Sequence, residues 1–208
     1  MSLIFLMFIN DMLNCVGEKT EIALYADDTK IWREIIDWDD HLALQNDINC
    51  LLQWSILNKL YFHPDKCKVI SIAKKKFEPI LPFQLYHYKL GDNFLNYADS
   101  EKDLGIIVNT TLTNDDQCRK TYTIMNQKLG MMKRVCYFTK CQNQKRSLYL
   151  AIVRSHLNHC CAVWRPTSES KIDRFESIEK RGVKWILNKE YHHYNDFEYL
   201  CRLRDLNI

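Results

Sequence analysis

Two hydrophobic periods divide this chain. Up to about residue 115 short alternating runs surround one long helical pattern, and beyond it the apolar residues recur every three or four positions throughout. That order predicts an α+β chain, a small mixed sheet with one packed helix followed by an all-helical basic module. Residues 21–26 and 29–33 read as two strands, with Ile22, Leu24 and Ala26 on one face and Thr29 and Ile31 after a break. A helix follows over about 40–58, where Leu44, Ile48, Leu51 and Leu52 keep helical spacing. Asp37, Asp39 and Asp40 crowd its start, where the helix dipole favours them. Pro64 marks a turn before a strand through Val69, Ile70 and Ile72. "PFQLYHYKLGDNFLNY" reads as strand, Gly91-Asp92-Asn93 turn and strand, and "KDLGIIVNTTL" as one more short strand.

The helical half opens with "RKTYTIMNQKLGMMKRVCYF" and continues through "NQKRSLYLAIVRSHLNHCCAVW", which Pro166 closes. A third helix, "ESKIDRFESIEKRGVKWIL", turns Ile172, Phe175, Ile178 and Ile186 inward. At the other end, residues 3–9 are apolar all round and predict a buried helix.

With 208 residues and 47% hydrophobic composition, the chain has material for a real core and lies outside the disordered range. Five Gly and four Pro, scattered, mark no linker. No repeat is present, and low complexity is limited to Lys74-Lys75-Lys76. The formal charge of +3 hides a polarity: residues 1–118 hold 11 Lys/Arg and 18 Asp/Glu, residues 119–208 hold 18 and 8. A basic second half suits a polyanion, and equally suits a salt-laced helical surface. Nine cysteines, odd in number and irregular in spacing, predict reduced thiols in the cytoplasm or nucleus. "MSLIFLMFINDM" lacks a basic leader and is interrupted by Asn10-Asp11, so neither a signal peptide nor a membrane span is expected.

Chemistry gathers at "ALYADDTKI", residues 23–31, where Asp27 and Asp28 stand between two strand patterns. Adjacent carboxylates at a hairpin tip are either a solvated turn or a divalent-cation site, and the dipeptide alone favours the turn. The flanks tell more. "LYADDTKI" resembles the catalytic hairpin of reverse transcriptases of the non-LTR retrotransposon type. "LIFLMFINDM" resembles the family segment upstream, "LLQWSILNKLYFHPDKCKVI" the helix, turn and strand downstream, "KDLGIIVN" the next block, and "LYLAIVRSHLNHCCAVWRP" the helices beyond the palm. Five blocks in order make a far more specific signal than one.

The resemblance implies the later palm over residues 1–110, a small antiparallel sheet with packed helices. An all-helical, thumb-like region over 111–166 and a helical extension over 167–208 follow. The family's activity is RNA-templated DNA synthesis from deoxynucleoside triphosphates, with an RNA template, a DNA primer or target, and Mg²⁺ or Mn²⁺. Two metal ions about 4 Å apart activate the primer hydroxyl and hold the triphosphate. By resemblance Asp27 is a direct ligand, Asp28 a weaker one, and Lys66 assists the pyrophosphate leaving group. Ala26 leaves room for the nucleic-acid backbone, and Tyr25 packs beside the primer end or else in the core. Leu104 and Gly105 belong to the block that positions the primer strand, which ends in Asn109 where Asp is commoner. His63 stands where the family usually has Asn. Asp11 is expected to be structural.

The family's third carboxylate, its fingers and its Pro-Gln-Gly-type block have no counterpart in these residues. The resemblance thus implies an N-terminally truncated enzyme, inactive as this chain alone, with an open sheet edge inviting self-association. Three alternatives remain. Lys128, Lys133, Arg134, Lys140, Lys145, Arg146, Lys180, Arg181 and Lys184 could line a non-catalytic nucleic-acid groove. Cys136, Cys141, His156, His159, Cys160 and Cys161 could hold zinc, though no CxxC pair occurs. The third is a relic of a mobile element, without function.

Overall fold

Alternating side chains build the centre of the N-terminal half. Thr20–Tyr25 (β1) and Asp28–Arg33 (β2) pair antiparallel, from Thr20↔Arg33 to Tyr25↔Asp28. Ile22, Leu24 and Ile31 face inward onto Ile9, Met12, Leu51 and Trp54. The computed structural model describes residues 3–73 and 86–188. The Lys74-Lys75-Lys76 run, the strand start expected at 82–85 and residues 189–208 of the expected extension lie outside the described residues. The architecture is α+β, and the chain divides into two units, Met1–Ser100 and Glu101–Ile208.

In the first unit, Leu3–Ile9 (α1) and a 3-10 turn at Asn10–Cys15 precede the hairpin. Trp38–Leu57 (α2) follows it, started by a capping box in which the Asp37 side chain accepts from the Asp40 amide at 3.0 Å. One side of α2 packs Leu51 and Trp54 under the hairpin; another packs Ile48 against Tyr88 and Leu90. Left-handed Lys59, at φ 57°, and the Asn58 backbone amide donating to the Trp54 carbonyl at 3.0 Å stop the helix. Asp11 proves to be a core partner, its Oδ1 accepting the Trp54 indole at 3.0 Å.

Short strands complete the unit: Lys68–Val69 (β3), Lys89–Leu90 (β4), Asn93–Phe94 (β5) and Asn96–Tyr97 (β6). They do not merge into the one antiparallel sheet expected. The described strands make separate two-stranded pairs, and β3 with β6 runs parallel, Lys68 opposite Asn96. The strand expected through Ile70 and Ile72 ends at Val69. A second correction concerns α1. Ile4 is 78% and Met7 71% exposed, because a helix apolar on all faces can bury only the face a neighbour covers.

In the second unit, Ser100–Asp103 (β7, whose first residue closes the first unit) pairs with Ile106–Asn109 (β8). Asp115–Val135 (α3) then buries Cys118, Thr121, Met125, Leu129 and Met132 on one face, with acids in its first turn and Lys133 and Arg134 in its last. The helix expected over 143–164 is broken. Gln142–Tyr149 (α4) passes through a π turn at Leu150–Arg154 into Ser155–Asn158 (α5), and Cys161–Trp164 (α6) starts afresh. The Ser155 hydroxyl donates back to the Ala151 carbonyl at 2.7 Å, Cys160 is left-handed at φ 49°, and the buried Trp164 indole donates to the His159 carbonyl at 2.7 Å. Glu169–Ile186 (α7) sends Phe175, Ile178 and Ile186 into the same core as Met125, Leu129, Tyr149 and Trp164. Ile172, expected inward, is 38% exposed.

Candidate functional site

The hairpin tip is a two-residue turn. Tyr25 lies opposite Asp28, so Ala26 and Asp27 make the turn and Asp28 opens β2. The expected strand ends, 26 and 29, are each one residue off. Ala26 takes φ 61° while Asp27 does not share the positive φ, the sign pattern of a type II′ turn. Glycine is the usual occupant of that first position, which is why the sequence left the turn type open. Asp27 and Asp28 are both exposed. Tyr25 is 65% exposed, which removes the core alternative for it. Tyr25, Asp28 and Lys30 share the outward strand face, while Ala26 is half-buried.

The base of the hairpin is held far more firmly than its tip. Arg33 Nε and Nη2 donate to Asp40 Oδ1 at 3.1 and 2.9 Å, and Nη1 donates to Thr20 Oγ1 at 3.1 Å. Asp40 Oδ2 meanwhile accepts the Ile36 amide at 3.0 Å. The Ile36 amide, and after it the Arg33 guanidinium, hold the Asp40 carboxyl below the usual carboxylate range. Asp40 is thus more than an acid favoured by the helix dipole: it ties α2 to β2. The D-x-x-D spacing at 37–40 was the signal for the capping box, but nothing in the sequence marked Arg33 as its partner.

Lys66 ends a one-turn 3-10 segment, Pro64–Lys66, with its amide donating to the His63 carbonyl at 3.0 Å, and its side chain is exposed. His63 Nδ1 stands 3.8 Å from Asp65 Oδ2. Among the described residues no hydrogen bond or ion pair joins Lys66 to Asp27 or Asp28. The chain brings together the two aspartates, Tyr25 and Ala26; Lys66 stays apart from them in bonding.

No family model, curated protein or solved structure matches this chain.

The second unit holds the remaining candidates. Leu104 and Gly105 form the two-residue turn of β7–β8, at φ 46° and 94°. Both positive signs fit a type I′ turn, for which Gly105 is suited and Leu104 is not. A methyl on Gly105 would lie 3.1 Å from His159 Nε2, so that glycine also allows a close approach. Asn109 is buried and organises the turn that leads into α3. Its Nδ2 donates to Thr113 Oγ1 at 2.9 Å and Asp116 Oδ2 at 3.3 Å, and its Oδ1 accepts the Thr113 amide at 2.9 Å. A carboxylate at 109 could not donate those bonds.

On α3, Lys128 and Lys133 are half-buried and Arg134 exposed. Burial, and then the nearby Arg181 charge, lower the Lys133 pKa. Arg181 donates to Asn126 Oδ1 at 2.7 Å, so two cations meet along the α3–α7 seam. Lys145 is corrected outright. It is 5% exposed, its ammonium donates to the Trp185 carbonyl at 3.3 Å and to Asn188 Oδ1, and it lies 5.2 Å from the Trp185 ring. It closes the end of α7 and is spent there.

As a metal site, the tip offers adjacent hard oxygen donors open to water. Those suit one Mg²⁺, which keeps several waters and often takes only one or two protein carboxylates. They fall short of a two-ion site with both reacting groups organised. Among the described residues no three of His, Cys, Asp and Glu come together as a metal cluster. All six residues of the zinc alternative are described; Cys160 Sγ and His159 Nε2 stand 3.8 Å apart, near the spacing of two ligands on one ion, but no third described His, Cys, Asp or Glu joins them.

Proposed function

We propose that this chain carries the later palm and the helices beyond it of a reverse transcriptase of the non-LTR retrotransposon type, an RNA-directed DNA polymerase. The observation that carries the proposal is the exposure of Asp27 and Asp28 at the tip of a tight hairpin whose base Arg33 and Asp40 fix to α2. Strand geometry separates their roles. Asp27, at the turn, is the direct ligand of a divalent cation, and Asp28, on the strand face beside Tyr25, is the outer one. When bound, Mg²⁺ supplies charge to activate the primer hydroxyl and to neutralise the triphosphate.

Lys66, exposed at a rigid turn, is the proposed partner of the leaving pyrophosphate. Leu104 and Gly105 present a backbone turn to the primer strand, and Lys128, Lys133 and Arg134 meet phosphates of the RNA–DNA duplex. Two aspartates from one hairpin do not organise two metals, so the chain by itself is proposed not to extend a primer.

A template–primer carrying a photo-crosslinker at the primer 3′ end tests the hairpin's role, with adducts expected within residues 25–28. Adducts spread over α3 and α7 with none at the hairpin would defeat it. Primer extension on a homopolymer template with Mg²⁺ or Mn²⁺ tests the second statement, and extension that depends on Asp27 would refute it.

A second reading, a nucleic-acid-binding chain without catalysis, is favoured by the Lys133–Arg181 pairing of like charges. It predicts sequence-independent retention of nucleic acid on filters, with log affinity falling linearly in log salt. Retention unaffected by salt would dismiss it.

A further inference from the structure

The turn between α3 and α4 presents two aromatic rings that the fold does not use. Tyr137 is 76% exposed and Phe138 88%, the latter the most exposed large apolar side chain described, with Val135 beside them at 75%. A loop that merely connected two helices would gain nothing from aromatic residues kept in water. Nor is the turn loose. The Cys136 amide donates to the Met132 carbonyl at 2.8 Å, the Thr139 amide to the Cys136 carbonyl at 3.1 Å, and Asn188 Nδ2 to the Lys140 carbonyl at 3.0 Å. The rings stand 5.2 Å apart between centroids and 79° to each other, so each offers a face in its own direction.

The surrounding charge is one-sided. No Asp or Glu occurs from residue 117 to residue 168. Lys133, Arg134 and Lys140 flank the two aromatics, and among the described residues none of the three is paired with a carboxylate. The Arg134 guanidinium lies back along its helix beside Gly130. Exposed aromatic faces on a fixed turn, bracketed by unneutralised cations, match the two requirements for holding an unpaired strand: bases stack on rings while phosphates meet positive charge. A protein partner would favour a contiguous apolar patch with fewer uncompensated charges at its centre. A duplex keeps its bases stacked internally and offers no free face to the rings.

We propose that the Val135–Lys140 turn is a stacking platform for single-stranded nucleic acid, in which Tyr137 and Phe138 each take one base and Lys133, Arg134 and Lys140 take the flanking phosphates. The platform shares Lys133 and Arg134 with the polymerase proposal but does not depend on it, since its rings, Tyr137 and Phe138, lie outside that proposal and it uses neither the hairpin nor a metal. Its contacts are blind to the sugar and the base sequence.

Fluorescence anisotropy with labelled oligothymidylate and oligouridylate of about 12 nucleotides, and a duplex of the same length, tests it in the full chain with EDTA present. The two single strands bind comparably and more tightly than the duplex. Tyr137→Ala with Phe138→Ala weakens single-strand binding by about 30-fold or more, as the loss of two base–aromatic stacks requires, and leaves duplex binding and the melting curve unchanged. Arg134→Gln with Lys140→Gln makes the salt slope shallower by about 1.4, as two lost phosphate contacts require. Tyr137→Leu with Phe138→Leu keeps apolar area without a π face and binds as poorly as the alanine pair. Full affinity in the leucine or alanine pair, or a wild-type preference for duplex, overturns the platform. Because EDTA silences any cation at Asp27 and Asp28, failure here leaves the hairpin proposal standing, and failure there leaves this one standing.

Discussion

Ala26 bends the hairpin at a φ of 61°, a conformation that glycine enters without a Cβ penalty. Ala26→Gly removes that penalty but gives the unfolded chain more freedom, and the first effect is the larger. Stability therefore rises by about 0.5–1 kcal/mol, read as a higher urea midpoint at unchanged m-value, with a lower midpoint as the contrary result. Asn109 makes the opposite case. Asn109→Asp sets a carboxylate against Asp116 and forfeits two donated bonds, costing about 1–3 kcal/mol near neutral pH. Below about pH 4 the new acid protonates and can donate again, so the deficit shrinks. A pH-independent deficit would show that charge is not the cause. At this scale the acid pair was legible, because strand alternation breaks around it. The one-residue shift of the turn was not, because Ala26 carries none of the glycine or asparagine chemistry that names a turn type.

The Arg33–Asp40 bond joins one element to another, and its stability contribution has a defined pH window. Asp40 titrates below the usual aspartate value of about 3.9, so its folded state favours the charged form. The contribution is fully present above that value and is lost as pH falls through the lower folded one. Wild type and Asp40→Asn should therefore differ in melting temperature at pH 7 and converge in acid; a constant gap would rule the ion pair out as its source. Across α4 and α7 the contact is steric. Tyr149 is wholly buried, and a methyl on Gly182 would overlap its ring, with Cζ at 2.7 Å. Gly182→Ala should cost about 1–3 kcal/mol or more, despite alanine's better helix propensity, and a stabilised variant would contradict the packing.

Elements were read well where helical periodicity was long, as in α2, α3 and α7. The break within 143–164 was hidden because its causes are a back-bonded Ser155, a left-handed Cys160 and the burial of Trp164, none of which alters the apolar spacing. The exposure of α1 was hidden for a different reason: apolarity says what a face prefers, not whether anything covers it.

Over the whole molecule, acidity and basicity are segregated by sequence. The first unit holds the carboxylate tip, whereas the second, with its core around Met125, Tyr149, Trp164 and Ile178, holds the cationic helices and the aromatic turn. Segregation of charge was visible in the sequence because it is a matter of counting; the role of each cation was not. Lys145 looked like its neighbours and is bound into the end of α7, whereas Lys133 and Arg134 remain available to a polyanion. Among the described residues no helix is long and apolar enough to cross a membrane.

Asp27 and Asp28 are proposed to form a divalent-cation site at the hairpin tip. Titrating Mn²⁺ into isotope-labelled protein and following paramagnetic broadening of the backbone amides tests it directly. Signals of residues 25–29 should broaden first, Mg²⁺ should restore them, and Asp27→Asn should abolish the effect without disturbing the rest of the spectrum. Broadening that begins at Asp37, Asp39 and Asp40, or that survives Asp27→Asn unchanged, would contradict the account.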